Sequence, residues 1–158
     1  MAMDMFLKID GVLGESADQT HAGEIDVLAW SFGAANSGST HLGSGAGAGK
    51  VNVQDLSLTK YVDKSSPLLM LACCNGRHNR TATLAIRKAG EKPFDYLVME
   101  MTDVLVSSVS VGGSGGEDRL TENVTLNFAR FKYSYTQQEI DGSTDTPVSM
   151  SWNIAAHM

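Results

Sequence analysis

The chain has little of what a disulfide scaffold or a membrane protein needs. It contains two cysteines and three prolines in 158 residues. The cysteines, Cys73 and Cys74, are neighbours, and a bridge between adjacent residues strains the peptide that joins them. We therefore expect two buried thiols that act as small hydrophobic side chains. No apolar run approaches the roughly 20 residues that cross a bilayer, so membrane insertion is not expected.

Basic charge is also scarce. Twelve Lys and Arg face 18 Asp and Glu, giving a net charge of -6. Because nucleic-acid binding needs a cationic surface, this balance argues against a nucleic-acid partner. Asp4, Lys8 and Asp10 interrupt any signal-peptide core near the N-terminus. We expect one domain over 1–158, made in the cytoplasm and exported, if at all, without a cleaved signal.

Three motifs imitate catalytic or nucleotide-binding sites but lack the elements those sites need. The stretch "STHLGSGAGAGK" (39–50) ends like a phosphate loop, yet Val51 replaces the required Ser or Thr and no helix follows. Ser114 fits the nucleophile elbow G-x-S-x-G, but a strand pattern follows it. Ser57 and Lys60 fit S-x-x-K on a strand-like segment. The four histidines have no ligand spacing, so we expect no enzyme, cofactor or metal.

Most of the chain has the two-residue period of β-strands. Segment 24–32 places Ile25, Val27, Ala29 and Ser31 on one face. The β-rich run 93–111 is expected to bend or bulge near Thr102 and Asp103. In 122–136 the apolar set changes parity after Phe128, which predicts a β-bulge or a strand passing between sheets or interfaces. Segments 81–88 and 148–154 also alternate, and turn residues fill 140–147.

One helix is predicted between an N-cap at Ser66 and a C-cap at Gly76, with Pro67 at its first position. Its residues are apolar all round, which indicates burial on more than one side, against a barrel or a neighbouring subunit. The fold prediction is mainly β: a compact β-barrel of two packed antiparallel sheets with one flanking α-helix and a long protruding Gly-rich loop.

The contacts within that loop, Gly33–Lys50, cannot offset the conformational entropy that is lost when it becomes ordered. Fixing a backbone costs roughly 1–2 kcal/mol per residue, and glycine loses the most freedom. Two interpretations remain: a disordered insertion, or a segment that another subunit orders.

The order of several segments resembles one family. The opening "MAMDMFLKIDGVLGESADQTHAGEIDVLAWSFG", then "KVNVQDLSLTKYVDKSSPLL", then "VLVSSVSVGGSGGEDRLTENVTLNFA" and the late Gly142, Trp152 and Asn153 are similar to the haemolysin-coregulated protein family (Hcp), the tube protein of bacterial type VI secretion. The resemblance runs from Met1 to about Asn153, close to the entire chain.

The resemblance implies a compact β-barrel that assembles as a homohexameric ring. Rings stack into a hollow tube, which a contractile sheath drives out of the cell beneath a spike protein. Some family members carry small effectors inside the ring. The implied partners are therefore further copies of the chain, sheath and spike proteins, and small secreted effectors, and the implied destination is the exterior or a target cell.

Site residues follow from the loop and from this resemblance. Gly33–Lys50, centred on Ser39, Thr40, His41 and Leu42, is expected to reach the adjacent subunit or ring. The turn with Gly90, Glu91 and Lys92 is the candidate for the opposite stacking face. Ser31 is the candidate for the channel wall and cargo contact, because it is polar and ends an otherwise apolar strand face. A serine bonded to backbone is the alternative there.

Two other functions stay open at this point. A hydrolase would act through Ser114. A small β-barrel ligand-binding module would instead hold an enclosed apolar pocket.

Overall fold

Ten strands and one helix are found in the part of the chain that the structure, a computed structural model, describes: residues 3–38, 50–90 and 92–158. They are β1 (Met3–Ile9), β2 (Ile25–Asp26), β3 (Ala29–Ser31), β4 (Ala34–Asn36), β5 (Val51–Val53), β6 (Leu56–Tyr61), α1 (Ser66–Asn75), β7 (His78–Lys88), β8 (Phe94–Gly112), β9 (Thr121–Tyr135) and β10 (Val148–Asn153).

The main sheet is antiparallel and curls until its two ends nearly meet. Its order is β2-β1-β7-β8-β9-β6-β3, with β10 beside β9. The end strands β2 and β3 are consecutive pieces of one segment. Val27 N–H donates to the carbonyl of Met5 on one side, at 2.9 Å, and Leu28 N–H donates to that of Thr59 on the other, at 2.8 Å. The mainly-β fold with one helix is confirmed, and the second sheet, β4–β5, is small.

The hydrophobic core fills the inside of this curl. Every strand of the main sheet except β3 and β10 contributes buried apolar side chains, among them Leu7, Ile25, Leu56, Leu84, Met101, Val104, Leu126 and Phe131. Strand β6 shows the alternation clearly: Leu56 and Leu58 point inward, whereas Ser57 and Thr59 are only half-buried on the opposite face. Burial of this apolar surface is the main favourable term for the fold.

The prediction of one continuous strand over 24–32 is wrong. Ile25 and Val27 are buried, but the inward positions then pass to Trp30 and Phe32, and Ala29 and Ser31 are exposed. The physical reason is a change of partner from β1 to β6 at Val27 and Leu28, which turns the strand and reverses its faces.

The long strands β8 and β9 carry the irregularities expected of them. Asp103 has a left-handed φ of 58°, at the predicted bend, and the pairing with β9 shifts register later, between Val106 and Ser108. The parity change after Phe128 coincides with a change of neighbour. One edge of β9 pairs with β6 up to Leu126 and with β10 from Arg130 onward.

The helix begins and packs differently from the prediction. Ser65, not Ser66, is the N-cap, and Ser66 is the first helical residue. Gly76 is the C-cap, with φ 67° as predicted. Only Leu69 and Ala72 are buried, so burial on more than one side is wrong within the chain. The prediction of two buried thiols is also wrong, because Cys73 is half-buried and Cys74 is exposed.

The Gly-rich segment is partly structured. Its described ends form the two-stranded sheet, in which Ala34 pairs with Val53 and Asn36 with Val51. Residues 39–49 lie outside the described part of the chain, so the expectation that a neighbour orders them stays a prediction.

A buried charged network fixes the start of the helix to the sheet. Lys60 is fully buried, and its ammonium group donates to the carboxylates of Glu122 and Asp63, the latter at 3.0 Å. The hydroxyl of Ser66 accepts a hydrogen bond from Asp63 N–H at 3.0 Å and donates to Glu122 at 2.6 Å. Because its hydroxyl bonds to Glu122, Ser66 lies in the first turn of the helix and is not the N-cap. Removing either partner would leave a buried charge uncompensated, which typically costs about 3–5 kcal/mol.

A second polar network holds the 11–24 segment against the outer face of β1. The His21 ring stacks on Phe6 at a centroid distance of 4.3 Å. Its Nδ1 lies 3.0 Å from the Glu24 carboxylate and its Nε2 lies 3.0 Å from Asp95 Oδ1. Arg87 covers the same Phe6 ring, with its guanidinium carbon 5.1 Å from the ring centroid, and donates to Asp18 at 2.9 Å.

These contacts shift three pKa values, and the hydrogen bond to Asp18 raises that of Arg87. Burial alone lowers the pKa of His21, because the cation loses hydration, but hydrogen bonds to Asp95 and Glu24 outweigh burial and raise it above its usual value. The hydrogen bond from Arg87 holds the pKa of Asp18 well below its usual range. The network is therefore tightest with a protonated imidazole between two carboxylates.

We predict that stability falls as pH rises through the raised pKa of His21. The folded state holds the His21 proton more tightly than the unfolded chain does, because a histidine in an unfolded chain has a pKa of about 6.5. The contribution is complete below that value and is lost above the folded pKa. Urea unfolding at a series of pH values checks this.

The variant His21→Phe keeps an aromatic ring on Phe6 and should flatten the decline. His78→Gln, at an exposed histidine paired with Asp103, is the matched control and should retain it. The same decline in His21→Phe as in the unaltered protein would show that another group is responsible.

Candidate functional site

The most distinctive surface is an uncharged face rich in hydroxyl groups on the outside of β3, β6, β9 and the second half of β8. Two cross-strand rows build it, as the register shows: Ser31, Ser57, Thr125, Ser108, and Ala29, Thr59, Asn123, Ser110. We call these eight residues the hydroxyl face. Its members point outward because the alternate residues of the same strands fill the core.

Hydrogen bonds between its members order these short side chains. Thr59 donates to Asn123 at 2.7 Å, and the hydroxyls of Ser108 and Thr125 are 2.6 Å apart. At its border, Asp55 accepts from Ser107 at 2.7 Å and from Asn127 at 2.8 Å. Two pairs of members therefore satisfy each other, and the other side chains of the face offer a partner only neutral, short hydroxyl groups.

The face includes a shallow concavity of about 360 Å³. It is lined by residues 29–31, 57–59 and 123–125, and none of these nine carries a charge. In a chain in which 19% of residues are charged, this neutrality is notable. A surface of this kind contacts a partner through shape and weak neutral hydrogen bonds, since it has no ion pairs to offer.

Two backbone edges border the hydroxyl face. Among the described strands, β3 is the end of the sheet and pairs only with β6. On the other side, β8 pairs with β7 only up to Leu105, so its residues 106–112 pair with β9 alone within the described chain. Half of the N–H and C=O groups in these two stretches therefore point away from any strand partner.

The predicted site residues fall on separate surfaces. Ser31 is exposed and belongs to the hydroxyl face, opposite Ser57, so it does not end an apolar face as expected. Gly90 and Lys92 are exposed in the turn between β7 and β8. Ser39, Thr40, His41, Leu42 and Glu91 lie outside the described residues.

Two of the three imitated motifs make no site, and the phosphate-loop-like stretch lies outside the described residues except for Lys50. Ser114 is exposed in the turn between β8 and β9, and a strand follows it. Ser57 and Lys60 point to opposite faces of β6. Across residues 3–38, 50–90 and 92–158, no group of three His, Cys, Asp or Glu side chains is placed to share a metal ion. In the same residues, no helix has the length and apolarity to cross a membrane.

Reasoning from sequence missed most of the hydroxyl face and both polar networks. Ser57 and Thr59 alternate with Leu56 and Leu58, and this signal was available. The sequence carries no signal that four strands join into one neutral surface, because this depends on the register between residues far apart in the chain.

Comparison with known proteins identifies the family. The model of the family described as "Type VI secretion system effector, Hcp" matches residues 6–135. Protein hcp1 of Pseudomonas aeruginosa is 64% identical over 156 residues, which cover 98% of this chain and 96% of that protein.

Solved structures agree with the sequence match. Hcp1 from Salmonella typhimurium is 39% identical, with a TM-score of 0.81, and the match covers 99% of this chain and 98% of that one. A structure described as a type six secretion system protein is 29% identical, with a TM-score of 0.93 and 99% of both chains covered. The chain therefore belongs to the Hcp family of type VI secretion proteins.

Proposed function

We propose that this chain is the structural tube subunit of a type VI secretion system. Six copies form a ring, rings stack into a hollow tube, and the tube leaves the cell when the sheath contracts. The hydroxyl face lines the channel and can hold small effectors. The role is not enzymatic.

Two sheet edges beside the hydroxyl face that have no further strand partner among the described residues are the observation that carries this proposal. Unpaired backbone groups at a sheet edge favour the addition of another strand. One edge is β3 and the other is residues 106–112 of β8, so pairing them joins unlike surfaces of two copies. Such head-to-tail contacts repeat and close into a ring when the rotation between copies allows it. A ring of six copies is what the resemblance to the family implies.

The position of the protein mass decides which face lies inside. The core and the helix lie on the side of β6 and β9 away from the hydroxyl face, and the same sheet curls round this core through β7 and β1. In a ring joined through β3 and β8, the bulkier side of each copy fits better on the outside, where the circumference is larger. The hydroxyl face then forms the inner wall, with Ser31 beside the seam between copies.

A neutral wall suits a carrier that must release what it carries. Weak hydrogen bonds and shape complementarity retain a small protein by its enclosure, whereas strong ion pairs would oppose release. The remaining surfaces are free for other roles. We propose stacking contacts at Ser39–Leu42 on one ring face and at Gly90–Lys92 on the other, with sheath and spike proteins as further partners.

Assembly is tested by the mass of the purified protein from light scattering and by negative-stain images of the same peak. We predict a particle of six subunits with an open centre. A monomer or a dimer of fixed size at the same concentration would contradict the ring and reopen the binding-module and hydrolase interpretations.

Cargo contact is tested at Ser31. The variant Ser31→Gln places a longer side chain on the inner wall, and we predict about tenfold less co-purified small effector, roughly 1.4 kcal/mol, with ring mass unchanged. Mass spectrometry of the ring peak measures it.

Ser114→Gln, the same change at an exposed serine in the turn between β8 and β9, is the matched control and should retain the cargo. Full retention in both variants would reject the role of Ser31.

A further inference from the structure

Ile140 is the most exposed large apolar side chain among those described, at 108% of its reference area. It sits at the tip of an ordered hairpin, residues 137–145, which we call the Ile140 knob. Glu139 N–H donates to the Ser143 carbonyl at 2.8 Å, and the Asp141 carboxylate accepts from Ser143 N–H at 2.9 Å. Gly142, with φ 88°, completes the turn. The knob is therefore preorganised, which lowers the entropy cost of docking.

The Ile140 knob is acidic. Segment 136–147 contains Glu139, Asp141 and Asp145 and has no Lys or Arg. An exposed apolar side chain on a turn with acidic neighbours in sequence matches a depression that is partly apolar and carries a basic side chain.

Such a hole exists on this chain, in a narrow depression between α1 and the turn that follows β1. Val12, Leu68, Leu71 and Ala72 give it an apolar part, and the polar side chains of Asn75, Arg77 and Asn79 complete its lining. Leu68 is 45% exposed and Leu71 is 57% exposed, so apolar surface is left open there. Within the described residues Arg77 has no carboxylate partner.

The knob and the depression lie at opposite ends of β7. Arg77 directly precedes the strand at His78, and the strand ends at Lys88, before the turn. The knob is beside that turn, since a Cβ on Gly142 would lie 3.8 Å from Lys92 Cδ. Eleven residues of strand span roughly 35 Å. A copy therefore does not reach its own depression with its own knob.

We propose that the Ile140 knob of one copy docks in the α1 depression of a second copy, with the acidic turn against Arg77. The contact joins unlike ends along the β7 direction, so it repeats from copy to copy, and with no closing rotation between copies it stacks them into a filament. The inference rests on the proposed function, in which this is a contact between successive rings, and it assigns that contact to named side chains.

Disulfide trapping tests the docking. In a background with Cys73→Ser and Cys74→Ser, the pair Ile140→Cys and Leu71→Cys should give, after mild oxidation, a ladder of linked copies on a non-reducing gel. Pairing Ile140→Cys with Leu13→Cys is the matched control, because Leu13 is 65% exposed and does not line the depression. We expect at least about tenfold less linkage there, equivalent to about 1.4 kcal/mol.

Charge reversal tests the rim. Arg77→Glu should reduce the ladder several-fold, and adding Glu139→Arg should restore it. Glu139 is chosen because its side chain does not build the turn, unlike that of Asp141.

Light scattering on the same samples separates the two proposals. Six-membered rings without a ladder would overturn the docking and leave the ring in place. A ladder from a protein that forms no rings would support the docking and overturn the ring. Equal linkage through Leu13 and Leu71 would also overturn the docking, because it would show random collision.

Discussion

The β8–β9 hairpin is longer than the strands that flank it, and the other features of the molecule follow from this mismatch. Strand β7 covers β8 only up to Leu105, and β6 and β10 divide the second edge of β9 between them. Backbone groups that lack a partner are costly unless water or another strand receives them. The second half of the hairpin therefore presents an edge that a neighbouring copy can use, and it carries the hydroxyl face to that edge.

Closure of the sheet depends on a short segment that changes partner. Residues 25–27 follow β1 and residues 28–31 follow β6, so one piece of chain links the two ends of the curl. Polar networks hold what surrounds it: Lys60 with Glu122 ties the helix start to β6 and β9, and His21 ties the preceding segment to β1 and β8. Loss of one partner in the Lys60 network would leave a buried charge uncompensated, which destabilises the fold.

Much of the fold could be predicted because its strands alternate and its helix has Pro67 and Gly76 near its ends. The break at Val27 could not, because apolar residues occur at both parities: Ile25 and Val27 on one, Leu28 and Trp30 on the other. The predicted N-cap is wrong by one residue, because Ser65 and Ser66 suit that position equally well by local sequence rules. The hydrogen bond from Ser66 to the distant Glu122 is what distinguishes them. The hydroxyl face, like the role of His21, depends on residues brought together from distant parts of the chain.

In the proposed ring, the edges of β3 and of residues 106–112 pair between copies. Hydrogen exchange on the assembled protein, followed by peptide mass spectrometry, measures this pairing. In assembled particles we expect outward amides in 29–31 and 106–112 to exchange as slowly as those of β7 and to become fast when the particles are dissociated. Exchange there as fast as in the 113–120 turn, in intact particles, would rule the pairing out.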